Sequence, residues 1–176
     1  MSDSKNKTGQ PEGTGDSTWS ATAATGEWND AGNWNPGIVP GGKASFSQSG
    51  QTEITFDPNA MAEVEAIEFD LTAPPYCFKF GTSPAKPALT VRGDGIINNS
   101  TNNQSFIVAS IGTSVCEPQL KFCNKASAGG DTVTYYAGPE SLEQGYGGGI
   151  IAFWDYSNAG SAAFTVRTGR LTPVAL

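Results

Sequence analysis

The sequence predicts an all-β fold wound as a β-solenoid, and three observations carry that expectation. The composition is poor in charge and rich in turn formers: 15% of the 176 residues are charged and 22 are glycine. That profile belongs to β-rich chains with many turns. Short apolar bursts recur between turn clusters from Ser45 onward, as in "ASFSQ", "TEITFD", "CFKFG", "ALTVRG", "SFIVAS", "LKFCN", "TVTYYAG" and "GIIAFWD". Most alternate apolar and polar residues, the period of a strand with one buried face. Finally, a segment repeats. "LKFCNKASAGGDTVTYYAG" from Leu120 aligns without gaps to "IAFWDYSNAGSAAFTVRTG" from Ile151, an offset of 31 residues. The alignment sets Phe122 on Phe153, Ala128-Gly129 on Ala159-Gly160, Thr134 on Thr165 and Gly138 on Gly169. Self-similarity at that period marks stacked coils. A sandwich holding two similar hairpins is the competing architecture.

Residues 1–17 carry no apolar residue beyond Met1 and read as a flexible tail, leaving residues 18–176 for the solenoid domain. They also lack the apolar core of a secretory signal. Next comes "GEWNDAGNWNPGIVPGG", which puts Trp28 and Trp34 among prolines and glycines. A solenoid's first coil exposes apolar side chains and unpaired edges, so its end needs a cap. With Trp19, these residues are read as an N-terminal Trp-rich cap. The competing reading is a platform on which sugar rings stack. Farther on, "NAMAEVEAIEF" fits helical and strand periods about equally and stays open between them. The C-terminal run "FTVRTGRLTPVAL" ends on an apolar strand-like stretch. Leu171, Val174 and Leu176 are read there as an edge for self-association, end to end or by strand exchange, with filaments as one outcome.

Chemistry is constrained by what is missing. The chain has no histidine. This removes Ser-His and Cys-His nucleophilic systems, His-ligated zinc and the usual base near neutral pH. Net charge is −7, without a basic cluster, so nucleic acid is not an expected partner. No run of eighteen apolar residues spans a membrane. Asp57, Asp70, Asp94, Asp131 and Asp155 are scattered near strand ends, and Arg92, Arg167 and Arg170 are the only arginines. A β-helix glycosidase or lyase would need a carboxylate pair or a basic residue beside the sugar, and no local constellation supplies one. Neither a catalytic residue nor a cofactor is expected. "RGD" at Arg92–Asp94 reads as a polar turn, "NNSTNNQS" as an asparagine-rich corner, and "GYGGGI" as a surface loop without the Lys-Ser/Thr of a phosphate loop. Cys77, Cys116 and Cys123 are odd in number and read as small buried hydrophobes, although Cys116 and Cys123 could bridge a turn.

Two stretches carry a resemblance. "STWSATAATGEWNDAGNWNPGIVPGGKASFSQSGQTEITFD" resembles the entry segment of bacterial autotransporter-associated β-helical repeat proteins. It is matched at Trp19, Trp28, Ala31, Asn33, Trp34, Gly37, Val39, Pro40, Ala44, Phe46, Ile54, Phe56 and Asp57. "LTVRGDGIINNSTNNQSFIVA" is similar to a later stretch of that family at Leu89, Thr90, Gly93, Gly95, Ile96, Asn98, Asn99, Ser100, Gln104 and Phe106. The resemblance implies a right-handed parallel β-helix and a non-enzymatic structural or adhesive role, extracellular or at the cell surface. The expected partners, from the C-terminal edge and the alternative reading of the tryptophans, are a second copy or neighbouring solenoid chains, with surface glycans as a further class. It carries no catalytic residues to transfer.

Overall fold

The computed structural model describes residues 14–57, 60–80, 87–110, 117–139 and 148–166. Its strands, in chain order, are β1 (Ser17–Trp19), β2 (Trp34–Asn35), β3 (Lys43–Phe46), β4 (Glu53–Thr55), β5 (Met61–Phe69), β6 (Cys77–Phe80), β7 (Ala88–Asn98), β8 (Gln104–Ser110), β9 (Gln119–Phe122), β10 (Val133–Pro139), β11 (Ile150–Phe153) and β12 (Ala163–Val166). They form a seven-stranded sheet, ordered β11-β9-β7-β5-β3-β1-β2, and a five-stranded sheet, ordered β12-β10-β8-β6-β4. Apart from β1 with β2, the strands pair in parallel. The chain is a β-solenoid of about four turns. Parallel ladders between successive coils leave no place for the sandwich of hairpins.

The larger sheet contains two ladders. β5 and β7 are long enough to run through both, and their register shifts between Val64 and Ala66. At that step Glu65 stands alone against Arg92, Gly93 and Asp94. A bulge of this kind bends the strands. Before it, Met61–Val64 and Ala88–Val91 lead on to β9 and β11. After it, Ala66–Phe69 and Gly95–Asn98 stack on β3 and β1. Among the described residues, the second ladder continues outward through the bridges of Gly95 to Ser127 and of Ser127 to Asn158. The smaller sheet is the third ladder, so each complete coil is three-sided.

The bulge also explains the ambiguity of "NAMAEVEAIEF". Ala62 and Val64 face inward before the bulge, Ile67 and Phe69 take over after it, and Ala66 between them is buried although it lies in register with Lys43. Two adjacent buried residues at the bend break the strand alternation and imitate a helical stripe. The segment is a strand because both neighbours offer parallel edges in register.

Alternate residues of each ladder point inward and stack on their equivalents one coil away. On the third ladder Ile54, Phe78, Phe106, Tyr135 and Phe164 lie in one file. Their rings sit 4.5, 5.1 and 4.8 Å apart, nearly parallel, from Phe78 through Phe164. On the first ladder Phe122 stacks on Phe153 at 5.2 Å. Each fully buried ring contributes on the order of 2–3 kcal/mol, and the stack sets the register between coils.

The repeat needs one correction. Leu120 lies on Ile151, Phe122 on Phe153 and Ser127 on Asn158, all 31 residues apart. On the third ladder, however, Thr134 lies on Ala163 and Tyr135 on Phe164, 29 residues apart. Thr134 therefore does not meet Thr165. The corner after Gly160 is two residues shorter than the corner after Gly129. A slip of two keeps every side chain on its own face, so the stack survives a deletion that an ungapped alignment cannot show.

The boundary of the tail also moves. The Gly15 carbonyl accepts from the Gly42 amide at 3.0 Å, and the Asp16 carboxylate accepts from the Lys43 amide at 2.7 Å. Ser17 already belongs to β1. Residues 15–17 are part of the first coil, not of a tail ending at residue 17.

Candidate functional site

The three tryptophans are built into the start of the coil stack. Trp19, Trp28 and Trp34 are 1%, 0% and 3% exposed. Trp34 meets Trp19 edge to face at 5.0 Å and Trp28 at 4.8 Å, while Trp28 lies over Phe56 at 5.4 Å. The indole N–H of Trp19 donates to the Gln51 carbonyl at 2.9 Å, and that of Trp34 to the Trp28 carbonyl at 2.7 Å. The Trp28 indole N–H has no partner. With both faces packed inside, none of these rings is open to a sugar, and the platform reading is corrected for all three.

Side chains, rather than ladders, hold this irregular segment. Asn33 is fully buried. Its Oδ1 accepts from the amides of Ala24 and Thr25, and its Nδ2 donates to the Thr25 hydroxyl and the Glu27 carbonyl. One amide thus satisfies the backbone of a loop that would otherwise leave polar groups unpaired beside the indoles. Asp30 Oδ1 accepts from the Gly32 amide and opens the short 3-10 turn Ala31–Asn33 that delivers Trp34 into β2.

Three charged pairs join one coil to the next among the described residues. Lys43 pairs with Glu68 and Lys79 with Glu53, each at 2.7 Å, and Arg92 pairs with Glu63. Each of the three ladders holds one such pair. The hydrogen bond and charge of Glu68 hold the Lys43 ammonium above its ordinary pKa. Arg92 of the "RGD" stretch is thereby tied to the preceding coil, and Gly93 sits against Glu65 at the bulge. Asp70 accepts from the amide and hydroxyl of Thr72, and Asp155 from the Asn124 amide. Asp70 thereby shapes its own turn, and Asp155 ties its corner to the coil before it. Asp57, Asp94 and Asp131 are exposed at separate corners.

"NNSTNNQS" is a polar corner in which Ser100 and Gln104 are buried and Asn99, Thr101 and Asn103 are exposed. Gln104 is fully buried. Its Oε1 accepts from the Tyr76 amide at 2.8 Å, and its Nε2 donates to the Pro74 carbonyl and the Ser100 hydroxyl. Asn98 Nδ2 donates to the Asn102 carbonyl and reaches the Thr132 hydroxyl of the next coil at 2.9 Å. Cys77 and Cys123 are free thiols and only half-buried. Cys116, residues 145–147 of "GYGGGI", Arg167, Arg170, and the proposed edge residues Leu171, Val174 and Leu176 lie outside the described residues.

The opposite end of the stack shows what the sequence reading did not single out. In the last described coil Phe153 and Phe164 point inward but are 39% and 38% exposed. Trp154, Tyr156 and Val166 are 60%, 84% and 75% exposed. The repeat alignment already placed Phe153 on Phe122. It lacked only the recognition that the last rung has no rung above it among the described residues.

No family model, no curated protein and no solved structure matches this chain.

Proposed function

We propose that the chain is a non-enzymatic structural module of a bacterial surface or secreted assembly. One observation carries the reading: the three ion pairs, one on each ladder, spend reactive side chains on coil-to-coil joints. The buried Gln104 and the half-buried Asn98 spend their amides in the same way. Such a chain invests its polar chemistry in a rigid stack. The surface location and the adhesive element rest on the family resemblance of the entry segment. The test is a polysaccharide-cleavage screen run beside a glycan array. Neither cleavage nor glycan retention is expected, and reproducible cleavage refutes the reading.

A second reading, a sugar-binding module, has its own observation in Trp154 and Tyr156, whose rings are open to solvent at one corner. Aromatic faces of this kind present a large apolar surface with a polar handle. Glycan retention that disappears in Trp154→Ala favours this second reading over the first.

A further inference from the structure

The two ends of the stack are unlike. At the N-terminal end, the edge of the larger sheet is the two-residue antiparallel β2, followed by Pro36, and the inward rings lie under the tryptophan cap. Among the described residues of that cap Ile38 is 46% exposed, but the indoles and the rings beneath them are closed to another chain. At the other end both sheets stop on outer strands, β11 and β12, and among the described residues nothing pairs with their free edges. Inward residues Phe153 and Phe164 stand 5.9 Å apart, edge to face, and are open along the coil axis. Edges are ordinarily guarded by lysine, proline or inward charge. Neither β11 nor β12 holds any of these, and Asp155 is the one charged residue in 148–166. Two copies of a chain of net charge −7 would meet there with the least repulsion.

We propose that two copies of this chain join tail to tail through β11 and β12, forming a closed dimer. Head-to-tail growth would have to seat β11 and β12 on an end whose aromatic rings are already covered, so filaments are not the expected outcome. The pairing follows from symmetry. A twofold axis normal to the coil axis turns facing strands antiparallel. In a three-sided coil, such an axis maps one side onto itself and exchanges the other two. In the last coil the second ladder is only the bridge at Asn158, so that side maps onto itself and the first and third ladders exchange. β11 then lies against the partner's β12, and β12 against the partner's β11. Matching inward to inward sets Phe153 opposite the partner's Phe164 and Ile151 opposite the partner's Val166. The outward residue Ala152 falls opposite the partner's Thr165. The inference stands on the coil geometry and not on the absence of catalysis, so a positive cleavage screen would leave it untouched.

Sedimentation of the full chain over a wide concentration range should give a monomer–dimer equilibrium with no larger species. Val166→Arg, at a site already 75% exposed, should preserve the circular dichroism spectrum and weaken the dimer more than about tenfold by burying an unpaired charge. Replacing Leu171, Val174 and Leu176 by serine in the full chain should leave the affinity within about threefold, less than one good interface contact is worth. Register is read by cross-linking in a background with the three native cysteines changed to serine. An Ala152→Cys chain mixed with a Thr165→Cys chain should cross-link, and neither should do so alone. A strictly monomeric full chain overturns the proposal, as does an open series of oligomers. Ala152→Cys cross-linking to itself overturns the register. Dimerisation gained only on serine replacement would show that the chain's own last residues cover this end, and dimerisation lost on that replacement would place the interface elsewhere. Either result refutes the proposal.

Discussion

At the residue scale, the tryptophan cap separates burial from hydrogen bonding. Trp28 has a buried indole N–H without a partner, whereas Trp34 donates to the Trp28 carbonyl. Trp34→Phe should therefore cost more than Trp28→Phe, because it leaves a buried acceptor unpaired. Trp28→Ala should cost about 3–5 kcal/mol, and Trp154→Ala within about 0.5 kcal/mol, both read by urea denaturation. Two buried phenols add a pH dependence. The Tyr76 hydroxyl donates to the Ser47 carbonyl at 2.6 Å, and burial pushes its pKa from 10.0 up to about 12. Burial raises Tyr135 as well, and its hydroxyl donates to the Ala128 carbonyl at 2.7 Å. Folded values above unfolded ones mean the unfolded chain loses these protons first. The stabilisation is complete below pH 10.0 and is lost as pH rises toward about 12. Denaturation midpoints measured across that window should fall, and Tyr76→Phe should flatten the fall.

At the scale of elements, corners are more demanding than strands. Gly95 has a φ of +93°, and a methyl group there would overlap the backbone of Ser127 in the next coil. Gly95→Ala should cost on the order of 3 kcal/mol by thermal melting, whereas Gly50→Ala, with nothing near its Cβ, should be nearly silent. Gln104→Leu strands the Tyr76 amide and should cost about 2–3 kcal/mol. Strands were legible in the sequence because alternation is local: "CFKF" and "QLKF" show it without their neighbours. The cap was legible for a related reason, since three tryptophans need burial wherever they stand. What could not be read depends on a partner coil. The Glu65 bulge is visible only when β5 is laid on β7, and the two-residue slip only when β10 is laid on β12. The role of Asn33 was hidden because three of its four bonds go to backbone atoms, which carry no sequence. The joints of Lys43, Lys79 and Arg92 join residues 25 to 29 apart, and only the coil length reveals those spacings.

At the scale of the whole molecule, stability should be graded along the coil axis. A stack in which each coil touches only its neighbours opens from its less covered end. Amide hydrogen exchange should be slowest in β5 through β8, and fastest, among the described strands, in β11 and β12. Uniform protection across all strands would contradict this gradient. Placing the cap at the N-terminus has a consequence for how the molecule is made. A ribosome releases the indole-bearing segment first, together with Phe46 and Phe56, the rings it packs against. Every later coil then emerges beside a finished edge, and need only search for partners one coil away. With its cover at the other terminus, the growing chain would hold an open edge throughout synthesis. As built, the nascent molecule lengthens in one direction from a sealed start, and only its newest rung is exposed at any moment.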